Sequence, residues 1–405
     1  MKAFGSGTRP GPSRRSAIIG AAAAVVSAAG FAGRGFASPS DQDFSSLWPR
    51  SGPPVLRGAV IAQRLRVPSI DGETFAGGRA VMPVYTRADF DALAEAGANL
   101  VVMSFPGVWS VEPPYGPSSE AFDQLDEQIR LAEAAGLHHV VGFRSGPGRS
   151  DFVFHRDAAG DWFPAQLIVD RIWRDAAAQS AWTEMCVQAA KRLAGSAKSA
   201  GLLLMVEPDT NMAGLDRNKR TLDAWSPSRY RRRVARISDW RRIAAAIAIR
   251  VRAAAPALPV LISPPAFARP DFLEVMGPPP VEGCVWCVHD YEPRAFTHSS
   301  EGSPVAWRDA APPGEDGFAE RLAQAQTYDA PVFLGEFGAP RWAPGLGSYF
   351  RARIAACEAA GVNWAAFRWP THDPGYEATD NVFALKASNA ALKAGWARNA
   401  RNGRR

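Results

Sequence analysis

Cysteine is scarce in this chain, with four residues (Cys186, Cys284, Cys287 and Cys357) among 405. Cys284 and Cys287 have the spacing of a redox or zinc pair. They fall, however, in what reads as a strand, where positions three apart face opposite sides, and no second pair completes a tetrahedral zinc site. Buried free thiols are expected, although an oxidising compartment would permit a disulfide. The sequence also lacks His, Asp and Glu clusters at metal-ligand spacing. It lacks a phosphate-cradling loop, since Gly146-Pro147-Gly148 has neither the Lys nor the Ser/Thr of a nucleotide site. No catalytic cofactor and no metal are expected. Beyond the first three dozen residues, no apolar run reaches the ~18 residues a membrane span needs. A stable span in the mature chain is thereby excluded. Hydrophobic residues are 47% and charged residues 21%, globular proportions that argue against disorder.

What is present begins with a leader. Residues 13–20 read Ser-Arg-Arg-Ser-Ala-Ile-Ile-Gly, an Ala/Val-rich stretch runs to about Ala32, and Gly35-Phe36-Ala37 offers a small-residue exit. A basic head, a short apolar run and such an exit make a secretory signal over 1–37. The Arg14-Arg15 pair points to the twin-arginine route, so export machinery of that type is an expected partner and the periplasm or exterior the expected destination. The leader contains Lys2, Arg9, Arg14, Arg15 and Arg34 and no acid, which is five of the six net positive charges, so the remainder carries +1. The high isoelectric point is therefore no argument for nucleic acid. The basic clusters at 229–236 and 398–405 read as a solvated face and a tail.

After a Pro/Ser-rich linker (38–54), short apolar runs alternate with longer helical patterns. The runs are 58–62, 99–105, 139–143, 202–207, 259–263, 284–291, 332–336 and 363–369. Helices are expected near 86–96, 119–135, 180–199, 239–254, 270–276, 316–329, 348–360 and 383–394. Such alternation implies βαβ units and a parallel sheet, with strands apolar throughout because both faces are buried. Ala-rich segments ending in Gly97, Gly136 and Gly361 fit helices capped by glycine. Eight units in about 340 residues fit one (β/α)8 barrel over 55–395 with a basic tail at 396–405; an open doubly wound sheet is the competing architecture. Two long loops, 146–174 and 294–313, follow the ends of runs 3 and 6, where a barrel builds its active site.

Glu207 ends run 4 and Glu336 ends run 7, each directly after a stretch of apolar residues. A carboxylate within a buried strand is costly, whereas at the strand's C-terminal end it reaches the barrel mouth. Two carboxylates on opposing strands suit glycosidic cleavage, one protonating the leaving oxygen and the other attacking the anomeric carbon. The plainer alternative is a pair of structural acids. His289 and Tyr291 lie two apart and so share one face of a strand. Trp109, Trp162, Trp307, Trp342 and Trp369 are candidates for stacking on sugar rings.

Several segments together resemble glycoside hydrolase family 5, the cellulase-type family. They are Arg57-Gly58-Ala59; Asn99-Leu100-Val101 with Trp109 and Glu112-Pro113; the stretch 125–141; Val206-Glu207-Pro208; His289-Asp290-Tyr291; Phe333-Leu334-Gly335-Glu336-Phe337-Gly338; and 364–369, in that order. The resemblance implies a retaining hydrolase acting on an oligosaccharide, polysaccharide or glycoside. In it Glu207 is the acid/base, Glu336 the nucleophile, Tyr291 a hydrogen-bond partner of the nucleophile, His289 a substrate contact and Trp369 the floor of the sugar subsite. The chain departs from the family at Val102, where Arg is usual, at Arg144, where His is usual, and at Val206, where Asn is usual. Arg144 is read either as a replacement cation holding Glu336 ionised or as a brace paired with Asp151 or Asp157. An inert carbohydrate-binding barrel and a transglycosylase remain as alternatives.

Overall fold

The computed structural model describes residues 46–62, 85–158, 164–213, 225–308, 316–371, 383–386 and 389–402. The leader, residues 38–45 of the linker, Trp162 and residues 403–405 lie outside them. Eight strands pair in parallel and in order into a closed barrel: β1 Arg57–Ala62, β2 Leu100–Phe105, β3 His138–Phe143, β4 Ser199–Leu203, β5 Val260–Ile262, β6 Cys284–His289, β7 Val332–Glu336 and β8 Asn363–Phe367.

Alternation along the strands sorts side chains into two cores. Val60, Leu100, Val102, Val140, Leu203, Leu261, Val285, Cys287 and Phe333 fill the barrel interior. Val101, Met103, Val141, Leu202, Val260, Cys284 and Leu334 face outward against the helices. The helices include Arg87–Glu95, Ser119–Ala134, Ala176–Leu193, Trp240–Ala254, Phe318–Ala325, Leu346–Ala360 and Ala390–Trp396. Gly97, Gly136 and Gly361, just past three of them, have φ of 99°, 79° and 70°, the left-handed conformation that glycine adopts without steric cost. All four cysteines are buried free thiols, with Cys284 and Cys287 on opposite faces of β6.

Several boundaries differ from the sequence reading. The third helix starts at Ala176 and not near 180, because Asp175 caps it through the amides of Ala177 and Ala178. The last starts at Ala390 and not near 383, because Asn389 caps it in the same way. The segment near 270–276 is a 3₁₀ turn, Pro270–Val275. The linker ends earlier than expected. Trp48 is buried beneath the barrel, its indole N–H donating to the Ala200 carbonyl at 2.9 Å and its ring edge-on to Phe333. Asn363, first residue of β8, accepts from the Val55 and Leu56 amides and donates to the Leu47 carbonyl. Residues 46–56 thus form the barrel's floor. The fold also runs past 395, since Trp396 is buried and Asn399 accepts a hydrogen bond from Arg57.

Candidate active site

Glu207 does not end a regular strand. Pairing within β4 stops at Leu203. The chain continues extended, with the Leu204 amide donating to the Leu261 carbonyl and the Val206 amide to the Phe143 carbonyl. It then turns at Glu207, whose φ is 50°, a conformation uncommon for a residue with a Cβ. Arg149 holds this turn. Its guanidinium donates to the carbonyls of Val206 at 3.0 Å, Glu207 at 2.7 Å and Arg144, and pairs with Asp209 at 3.2 Å. Asp209 also receives Arg156 at 2.8 Å. Arg149 and Asp209 have no exposed side-chain surface, so the loops after β3 and β4 are clasped by a buried ionic cluster whose charges compensate one another.

Glu336 ends β7 as expected and is 6% exposed. The Tyr291 hydroxyl donates to its Oε2 at 3.0 Å. His289 Nδ1 lies 2.9 Å from Glu207 Oε1 and 3.5 Å from Glu336 Oε2, so the imidazole stands between the two carboxylates, buried beneath them. Gly335 makes room for the ring, because a Cβ there would fall 3.1 Å from His289 Nε2 and 2.5 Å from Cys287 Sγ. One oxygen of Glu207, one of Glu336 and one nitrogen of His289 lie within 4.8 Å of one another. Two carboxylate oxygens and an imidazole also form a ligand set a divalent transition metal accepts. The sequence could not show it, since the three groups come from β6, β7 and the segment that follows β4.

Burial dominates the electrostatics. It pushes the Glu336 carboxyl up to about 7, with the negative charge of Glu207 adding to the rise, and His289, the Tyr291 hydrogen bond and Arg144 opposing it. Burial likewise lowers the His289 pKa, against the pull of Glu336. It drives the Tyr291 phenol well above its usual value, reinforced by both carboxylates. Burial thus penalises the charged form of both members of the Glu336–His289 pair, and their mutual attraction opposes that penalty.

Arg144 pairs with Asp151 through Nε at 3.3 Å and Nη2 at 3.2 Å and donates to the Ser104 carbonyl, so its direct contacts brace the loops. Its charge reaches Glu336 only as the smallest of the opposing influences, and Glu336 is not held low. The side chain of Asp157 lies outside the description. Val206 and Val102 are apolar members of the barrel interior. Trp369, read as the floor of the sugar site, is instead core: it is 2% exposed, its indole donates to the Asp89 carbonyl, and its ring meets Trp396 edge-on. Phe367, at the end of β8, takes the place beside Tyr291, with Phe383 and the exposed His298 completing a ring of edge-on aromatic contacts. Trp307 packs among Phe296, Tyr349 and Arg353. Trp342 joins the β7 loop to the β6 loop through the Ser299 carbonyl. Trp109 lies half-buried on the outer core, bridged to Pro117.

The residues missed in the sequence are therefore Arg149, Asp209, Phe367, Phe383 and His298. Phe367 lies within the apolar run 363–369 and His298 within the long loop 294–313 that follows run 6; the others carried no local signal.

The family model that matches is Cellulase (glycosyl hydrolase family 5), over residues 67–373. A probable glucan 1,3-beta-glucosidase A from Aspergillus niger is 40% identical over 65 residues, which is 16% of this chain. The chain spans only 15% of that relative's length. An endoglucanase from the hyperthermophilic Thermotoga maritima is 18% identical with a TM-score of 0.58, covering 84% of this chain and 97% of that one. The cellulose synthase subunit Z of Clostridioides difficile is 15% identical with a TM-score of 0.56, covering 84% and 99%. At such identities the two structures establish a shared barrel.

Proposed function

Because the chain belongs to glycosyl hydrolase family 5, we propose that it hydrolyses O-glycosidic bonds of a β-linked glycan or glycoside by double displacement with retention. The observation that carries this reading is the closeness of the two acids: an oxygen of Glu207 and one of Glu336 lie within 4.8 Å. Retaining enzymes hold their carboxyl groups about 5–5.5 Å apart, whereas inverting ones leave about 6.5–9.5 Å for a water.

In this mechanism Glu336 attacks the anomeric carbon as Glu207 gives its proton to the departing oxygen. Glu207 then removes a proton from water, which displaces Glu336 and releases the sugar. His289, within reach of both acids, orients Glu207 and passes no net charge into the buried site while neutral. Tyr291 holds Oε2 of Glu336 so that the other oxygen faces the substrate. β-Glucans are the first substrate class to try, since the curated relative is named for a β-1,3-glucan.

The test is a screen of the purified protein against aryl β-glycosides and β-glucan, mannan and xylan polymers, with product stereochemistry followed by NMR. Retention and cleavage are expected. Glu207→Ala should lower kcat by about 10²–10⁴-fold, and azide should restore turnover of substrates with good leaving groups as the β-glycosyl azide. Glu336→Gly should abolish turnover. Near wild-type rates in both variants would remove these roles, and a parent protein that cleaves none of the substrates would leave the inert carbohydrate-binding barrel as the reading.

A further inference from the structure

Between His289 and Tyr291 stands a residue that the double displacement itself does not use. Strand alternation turns Asp290 away from the barrel interior and into the helix layer, the side on which Cys284, Trp286 and Val288 are apolar core. Its carboxylate has 1% of its surface exposed. A buried charge is costly there, and an apolar side chain would fill the same space at lower free energy. Two arginines meet it. Arg321, from the helix Phe318–Ala325, donates to Oδ2 through Nε at 2.9 Å and Nη2 at 2.7 Å. Arg353, from the helix Leu346–Ala360, lies 3.5 Å from Oδ1. Arg353 is enclosed in turn by the rings of Phe318, Tyr349 and Trp307, 4.3, 4.9 and 5.5 Å from their centroids. It also pairs with Asp316, whose carbonyl accepts from Arg321 at 2.7 Å.

What this cluster fixes is the backbone of the segment that carries Tyr291. Asp290 Oδ1 accepts from the Glu292 amide at 3.2 Å, and Arg353 donates to the Glu292 carbonyl. The Asp290 amide donates to the Glu336 carbonyl at 3.0 Å. That bond falls where the β6–β7 ladder slips by one residue, Val288 pairing with Leu334 and His289 with Glu336, and the pairing ends there. Tyr291 must therefore aim its hydroxyl at Glu336 Oε2, 3.0 Å away, from a segment the sheet no longer holds. Resting on the reading of Glu336 as the nucleophile, we propose that Asp290, gripped by Arg321 and Arg353, is a positioning residue: it sets the backbone of 290–292 so that Tyr291 holds Oε2 and the other oxygen of Glu336 faces the anomeric carbon. The helix layer thus orients the nucleophile from outside the barrel. A misplacement of about 1 Å costs on the order of 10²-fold in rate. Asp290 and Arg353 are each 1% exposed, so the cluster acts on the attack and not on the sugar.

The test isolates that attack. A 2-deoxy-2-fluoro derivative of the glycone found by the screen above, with a good leaving group, traps Glu336 with a maximal rate and a half-saturating concentration. Arg321→Met, at the partly exposed edge of the cluster, leaves Arg353 on Asp290. It should lower the maximal rate tenfold or more and change the half-saturating concentration less than twofold, and Arg321→Lys should recover most of the rate. Asp290→Asn should act as Arg321→Met does. Tyr291→Phe should lower the rate as well, and Arg321→Met added to it should lower the rate no further, because both remove one effect. In protein labelled with ¹³C at tyrosine Cζ, the Tyr291 signal, one of seven and assigned by its loss in Tyr291→Phe, should shift in Arg321→Met. Losses that multiply in the double variant, or an unmoved Tyr291 signal, would overturn the proposal. A parent protein that is neither trapped nor active on any substrate would instead overturn the glycosidase reading, while the Tyr291 signal would still decide whether Asp290 positions that side chain.

Discussion

Glu336 is the residue at which burial and chemistry pull in opposite directions. As a nucleophile it must be ionised, yet its setting raises its pKa to about 7. The acidic limb of kcat/KM, which reports the free enzyme, is expected near pH 7 and not near the usual carboxylate value. A raised carboxyl stabilises the fold fully below its unfolded pKa, and that contribution is lost as pH rises through the folded value. Glu336→Gln, which cannot ionise, should therefore gain melting temperature over the parent at pH 8 and little at pH 5. A parallel pair of melting curves would dispose of the assignment. Arg144→Met should move the acidic limb upward, since the arginine lowers the Glu336 pKa, and should also cost thermal stability, because Asp151 loses its partner. The two sequence readings of Arg144 were both partly legible because they rest on charge alone. What the sequence could not show was their rank, which depends on distances across three strands.

Elements were legible where one local rule governs them and illegible where two distant segments decide. The apolar runs marked all eight strands, and Gly97, Gly136 and Gly361 marked helix ends through a requirement written in one residue. Run 4 misled because its apolar residues continue beyond Leu203, where the chain is still buried but no longer regularly paired. Trp369 misled because its role was carried over from the resemblance by motif position, whereas β8 ends two residues earlier, at Phe367. The clasp on the Glu207 turn was invisible because Arg149 and Asp209 are sixty residues apart. It nevertheless carries a measurable load. Arg149→Met strands Asp209 in the interior with Arg156 as its remaining arginine partner, and breaking a buried ion pair costs about 3–5 kcal/mol. Denaturant unfolding should show a loss of that order. At temperatures where the variant stays folded, kcat should fall, since the Glu207 backbone loses its hydrogen bond. A stable variant with unaltered kcat would mean the clasp is ornamental to the acid/base.

At the scale of the molecule, the order of eight βα units was written in the sequence as repeated alternation, and closure of the sheet was not, because it depends on the pairing of β1 with β8 across some three hundred residues. We propose that residues 1–37 export the folded chain by the twin-arginine route. Replacing Arg14 and Arg15 by Lys should leave the precursor inside the cell, as fractionation and immunoblotting would show; unimpaired export would point to another route. The floor has a practical consequence. Residues 46–56 and the helix Arg398–Asn402 both meet the barrel at the strand starts, opposite the mouth. A protein fixed to a bead or electrode through either of these two segments would therefore stand with its opening turned toward the bulk, and insoluble substrate particles would meet the catalytic face first.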